Sequence, residues 1–174
     1  VSNVAETALA GLFAAGQPLW TAPGVSSVGR LPMRAPLLAY PDDGSARAAD
    51  PTAELTAEAT GCDDLVSLDG DWEFRLYPRP EAVPAEAVTA GGKRPVGDGV
   101  TGWCSLAVPG NWPLQGTQQG RPWDVPIYTN IRMPFDEAPP LVPSDNPTGV
   151  YRRDVNVPGS WAGRRVVLSV GGAE

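Results

Sequence analysis

The side chains of this sequence best suited to acid–base chemistry are its carboxylates. Asp42, Asp43, Asp63, Asp64, Asp69, Asp71, Glu73, Asp124, Asp136, Glu137 and Asp145 are scattered along the chain. Two carboxyl groups working together as acid and nucleophile stand about 5–5.5 Å apart, and no spacing here puts two acids together that way. They read as solvated loop acids and turn-forming Asp residues. The chain has no histidine, which excludes Ser-His and Cys-His nucleophiles within it and removes the commonest zinc ligand. It also lacks a GxSxG elbow, a phosphate loop and a nucleotide-binding glycine pattern. Cys62 and Cys104 have no CxxC spacing and read as buried free thiols rather than as a bridge.

Tryptophan is the enriched residue, at positions 20, 72, 103, 112, 123 and 161. Aromatic faces stack on the C–H faces of sugars, and they equally fill cores. Trp72 and Trp103 lie in strand-like runs and read as core. Trp112 and Trp123 lie beside Gly and Pro, where core and surface roles are both open.

The elements that must position these groups are short. The 174 residues include 20 Pro and 20 Gly, which break helices and mark turns. A net charge of −7 without a basic stripe excludes a nucleic-acid partner. No apolar run approaches the ~20 residues of a membrane helix, and Ala8–Ala15 is too short and lacks the basic flank of a secretory signal. No membrane partner is expected, and the location expected is cytoplasmic.

Residues 1–61 read as an extended, Pro-rich arm, with one short helix over Val4–Phe13. Leu19, Trp20, Leu31, Met33, Leu37, Leu38 and Tyr40 are the residues by which it would dock. Residues 62–174 read as a separate β domain. After an Asp69-Gly70 turn, Trp72, Phe74 and Leu76 alternate with Glu73, Arg75 and Tyr77, the period of a half-buried strand. Further strands are expected at Trp103–Val108, Val150–Val157 and Arg165–Val170, with loops at Pro80–Gly99 and Gln115–Asp124. Short strands between Pro/Gly loops predict an all-β sandwich or barrel. The absence of an initial Met and the ending in mid-pattern predict truncation at both ends.

Four blocks make the pattern specific. SLDGDWEFRLYPRPEAVP (67–84), VPGNWPLQG (108–116), PIYTNIRMPF (126–135) and the run from Pro139 to Gly172, with GVYRR and WAGRRVVL, occur in the order found in family 2 glycoside hydrolases. The chain resembles the N-terminal part of that family. PIYTN and the arm LWTAPGVSSVGRLPMRAPLLAY (19–40) are similar to the β-galactosidase branch.

The resemblance implies a jelly-roll β-sandwich, incomplete on its C-terminal side and preceded by the arm. It implies a parent enzyme that removes terminal non-reducing β-D-galactose with retention, acting on β-galactosides such as lactose. Asn130 and Ile131 would line the galactose subsite; a carboxamide offers one acceptor and two donors to sugar hydroxyls. The catalytic carboxylates would belong to a later domain, so this chain is expected to hold no catalytic residue, no metal ligand and no cofactor of its own. Mg2+ and Na+ are implied for the complete enzyme. In the arm, Ala22 takes the place of a polar group near the magnesium site of other members. Residues Thr117–Trp123 look like an insertion beside the subsite. The implied partners are the remaining domains and further copies of the same enzyme. A free-standing carbohydrate-binding module and a structural complementing fragment are the alternative readings.

Overall fold

A computed structural model describes residues 13–14, 17–32, 40, 42–50, 64–121, 123–127 and 135–172. The chain divides into two compact units, one of Val1–Pro32 and Asp69–Arg153, the other of Met33–Leu68 and Asp154–Glu174.

The first unit is built on an antiparallel sheet of three strands. Strand β3 (Gly70–Tyr77) is central, with β4 (Cys104–Val108) on one side and β5 (Thr148–Arg152) on the other. The register aligns Phe74 with both Cys104 and Tyr151. Gly70 opens β3 at φ +115°, a conformation costly to any residue with a Cβ. A hairpin of β1 (Phe13–Ala14) and β2 (Gln17–Pro18) precedes a 3-10 turn at Leu19–Thr21.

The alternation of β3 buries side chains on both faces, because each face has its own cover. Phe74, fully buried, packs with Cys104, Leu106 and Trp123, and Leu76, Trp112 and Tyr151 lie against this cluster. On the opposite face Tyr77 joins Val83, Ala87, Trp103 and Val150. The cover for this second face comes from the Ala- and Pro-rich segment. That segment forms a 3-10 turn at Pro80–Ala82 and the one-turn helix α2 (Ala85–Val88) rather than a plain loop. Arg152 holds α2 down by donating to the carbonyls of Glu86 (3.2 Å) and Thr89 (2.9 Å), its guanidinium 5.6 Å from the Trp103 ring centre. Arg94 pairs with Glu73 at 2.5 Å on the same strand face.

The Tyr77 hydroxyl and Arg75 Nε are buried and have no hydrogen-bond partner among the described residues. Burial also pushes the Tyr77 phenol up from its ordinary pKa. Removing an unsatisfied polar group costs nothing in lost bonds. Tyr77→Phe is therefore expected to leave the thermal midpoint within about 2 °C of the parent or to raise it slightly. A drop of several degrees in a circular-dichroism melt would mean the hydroxyl has a partner.

Several sequence expectations are corrected. Trp72 is half-exposed rather than core, with the Arg153 guanidinium 6.0 Å from its ring centre. Arg153 also donates to the Asp69 carbonyl at 2.8 Å, so it closes the start of β3 where a core residue was expected. The strand expected at 150–157 is β5, two residues earlier, and it stops at Arg152. Residues 165–170 form no strand. Val166, Leu168 and Val170 are 51%, 69% and 64% exposed, since alternation makes a strand only where a neighbour takes the backbone hydrogen bonds. The supposed loop at 115–124 begins as helix α3 (Trp112–Gln118) and ends on a buried Trp123.

Trp103 and Cys104 are buried as expected, and Cys104 is a free thiol. Cys62, Met33, Leu37, Leu38 and residues 4–12 of the expected first helix lie outside the described residues, while Phe13 pairs as a strand. Leu19, Trp20 and Tyr40 are half-buried and Leu31 is exposed. Helix α1 (Asp43–Ala48), in the second unit, starts on Asp42, whose carboxylate accepts from Ser45 N at 2.8 Å. Among the described residues no helix is long and apolar enough to cross a membrane.

Candidate functional site

Strand β4 delivers the chain to the region of interest. After the Pro109-Gly110 turn, Asn111 caps α3 by accepting from Leu114 N at 3.3 Å, and Pro113 occupies the first turn, where a missing N–H is tolerated. The Gln115 carboxamide then binds back to β4, accepting from Ala107 N at 3.2 Å and donating to Ala107 O at 2.9 Å. One side chain thus imitates a neighbouring strand and fixes α3 against the edge of the sheet. Each of these bonds contributes about 0.5–1.5 kcal/mol. Gln115→Ala is expected to destabilise the chain by about 1–2 kcal/mol, and Gln115→Glu, which keeps the acceptor and loses the donor, by about half as much. Urea denaturation checks both values.

Trp123 brings the chain back to the sheet. Its ring lies 4.9 Å from Phe74, and its indole N–H donates to the Asp98 carbonyl at 3.2 Å. Two glycines make room for it: a Cβ on Gly99 or Gly116 would come within 2.6 Å of the indole. The Arg121 guanidinium lies 5.4 Å from the indole centre. Trp112 stacks on Phe74 at 6.1 Å. The core role is therefore the one Trp123 takes, and Trp112 lies half-buried against the same cluster. From this anchor the chain runs outward, with Val125 67% and Ile127 49% exposed, toward residues 128–134. Asn130 and Ile131 lie outside the described residues.

The titratable groups packed around Trp123 are not tuned for proton transfer at neutral pH. Burial pushes Tyr151 up to about 12 and raises the Cys104 thiol. Asp98 is held below its ordinary value by the backbone N–H groups of Thr101 and Val100, each 2.8 Å from its carboxylate. Two acids of the first unit have structural partners: Glu73 pairs with Arg94, and Asp124 accepts from Val125 N at 2.8 Å; in the second unit Asp64 pairs with Arg164.

A profile for the family described as "Glycosyl hydrolases family 2, sugar binding domain" matches residues 65–174, more than half of the chain. The chain belongs to glycosyl hydrolase family 2. It is similar to a protein named beta-galactosidase from Aeromonas hydrophila subsp. hydrophila. The two are 36% identical over 149 residues, which cover 82% of this chain and 12% of that protein. It is also similar to a beta-galactosidase from Psychromonas ingrahamii, 42% identical over 98 residues, which cover 56% of this chain and 8% of that protein. The chain thus spans about an eighth of the length of the first relative.

Outside the matched domain, the stretch Trp20–Val25 is where the family resemblance implies a magnesium contact. Thr21 carries its only side-chain oxygen, and that hydroxyl already donates to Pro18 O at 2.9 Å. Divalent magnesium binds through carboxylates and other oxygens, and the stretch offers no carboxylate, so its side chains do not fit the ion. Among the described residues no three or more His, Cys, Asp or Glu side chains cluster as ligands. What the sequence reading missed in this family 2 domain is the supporting structure: α3, the Gln115 clamp and the Trp123 plug. The signal present was Asn111 followed by Pro113, a helix start.

Proposed function

We propose that this chain is the N-terminal segment of a retaining β-galactosidase, an enzyme that removes terminal non-reducing β-D-galactose from substrates such as lactose. The observation that carries this reading is the match of residues 65–174 to the family 2 sugar binding domain, joined with the 36% identity to the Aeromonas beta-galactosidase. In this reading the three-stranded sheet is part of a jelly-roll sandwich whose remaining strands are supplied by following sequence, and residues 1–61 are an arm making assembly contacts. Asn130 and Ile131 form part of the galactose subsite. Trp123 ties the chain that leads to that segment to the core.

The acid and nucleophile of retaining hydrolysis, two carboxyl groups about 5–5.5 Å apart, belong to another domain of the parent enzyme. So do the Mg2+ and Na+ sites. The parent is a cytoplasmic homo-oligomer with no nucleic-acid or membrane partner. Two measurements test the proposal. The isolated chain is expected to give no turnover of a chromogenic β-galactoside, and measurable turnover would refute the assignment of the carboxylates. Adding a partner polypeptide that begins near residue 175 is expected to restore activity, and failure to co-elute with it would count against the assembly role.

A further inference from the structure

Away from α3 and Trp123, the first unit carries an open groove of about 450 Å³. Among the described residues three short pieces of chain line it: the 3-10 turn after β2, the Pro80–Ala82 turn, and the loop leading into β5. Its chemistry comes from Trp20, Thr21, Arg79, Glu81, Ser144 and Asn146, with prolines between them. That volume lies within the range of small-ligand sites, about 300–1,000 Å³, and the fixed φ of proline stiffens the walls.

The Thr21 hydroxyl is taken by Pro18 O, whereas four other polar side chains of the groove are not used up by the described fold. Asn146 is held by its backbone, its N–H donating to Pro78 O at 3.2 Å and its carbonyl accepting from Thr148 Oγ at 3.0 Å, which leaves the carboxamide free. Among the described residues the side chains of Arg79, Glu81, Ser144 and Asn146 make no hydrogen bond or ion pair with protein, and Arg79 and Glu81 do not pair with each other. A guanidinium, a carboxylate, a hydroxyl and a carboxamide therefore stand around one half-buried indole, each with donors or acceptors to offer.

We propose that this groove is a saccharide site additional to the Asn130 segment, taking a neutral pyranoside of one or two rings. The apolar face of a pyranose stacks on Trp20, as amphipathic rings do on aromatic surfaces. Its vicinal hydroxyls, donor and acceptor at once, match a guanidinium–carboxylate pair better than any single-sign ligand does. Arg79 and Glu81 cancel in charge, and the chain's net −7 disfavours an anionic ligand.

The test is a titration of the 174-residue chain with galactose, lactose and glucose, followed by calorimetry and by NMR of the indole N–H signals. Saturable millimolar binding is expected, weakened at least tenfold by Trp20→Ala and by Arg79→Ala and unchanged by Asn130→Ala. Glu81→Gln, which alters an exposed side chain by one atom, is the variant that keeps the fold and is expected to weaken binding several-fold. Absence of saturable binding overturns the proposal, as does binding lost with Asn130→Ala and kept with Trp20→Ala. The first result leaves the Asn130 reading standing and the second supports it, so the two proposals fail separately. Masking of the groove by a protein segment, seen as Trp20 signals unmoved by sugar and shifted by the partner polypeptide, also overturns it.

Discussion

Trp123→Ala is expected to lower the stability of the chain by about 3–5 kcal/mol, the usual cost of emptying a large aromatic site in a core. Trp123 is 6% exposed and packs with Phe74, Cys104 and Leu106. The neighbouring glycines are fitted so closely to its ring that the surroundings have little to fill the space with. Set against a typical domain stability of about 5–15 kcal/mol, such a loss removes a large fraction of the total. It should bring the thermal midpoint down by about 10 °C or more. Trp123→Phe keeps most of the ring and gives up the bond to the Asp98 carbonyl, so about 1 kcal/mol is expected for the hydrogen bond itself. Thermal and urea unfolding of both variants checks the ordering. A loss under 1 kcal/mol for the alanine variant would show that the indole is not a core element. The same substitution frees the start of the segment that leads to Asn130, so in the proposed complete enzyme it should raise KM for a β-galactoside even where folding is rescued at low temperature.

The second large effect concerns Asn130 itself. In the proposed β-galactosidase, Asn130→Ala is expected to reduce kcat/KM on a chromogenic β-galactoside by about a hundredfold. A carboxamide can make up to four hydrogen bonds. Losing its contacts to sugar hydroxyls in a water-excluded subsite costs about 2–3 kcal/mol, and each 1.36 kcal/mol is tenfold in rate. Steady-state kinetics of the full enzyme measures it. A change of less than threefold would place Asn130 outside the subsite.

The sequence announces some of this structure plainly and hides the rest for physical reasons. Strand β3 is legible because Trp72 to Tyr77 alternate after an Asp-Gly turn, and β4 because an apolar run ends on Pro-Gly. That β3 buries both faces is not legible from β3 alone, since Tyr77 is covered by Val83 and Ala87, residues in a segment with no period of its own. Trp123 carries no periodic signal either. It is a lone aromatic between polar residues, and only the tertiary fit of Gly99 and Gly116 decides its place. The opposite failure occurs at 165–170, where the pattern is excellent and the described residues supply no strand to pair with it. The proposed subsite rests on a different kind of signal. Asn130 is proposed from the order of family blocks rather than from any local chemistry, whereas the side chains of the groove are brought together from residues 20, 79, 81, 144 and 146 by folding alone.

The Gln115 clamp has a consequence for how the protein behaves in a crowded solution. Strand β4 lies at the edge of the sheet, and edges recruit other chains. Backbone groups that face away from β3 recur at every second residue of β4. At Trp103 they are taken by the Pro95 carbonyl and the Gly97 N–H. At Ala107 they are taken by Gln115. Pro109, one step further, has no N–H to offer. Among the described residues Ser105 is left by itself between two blocked positions, too short a run to seed a fibril or a misregistered dimer. A substitution at Gln115 would then show its effect in turbidity as well as in a melting curve, as the first breach in a guarded edge.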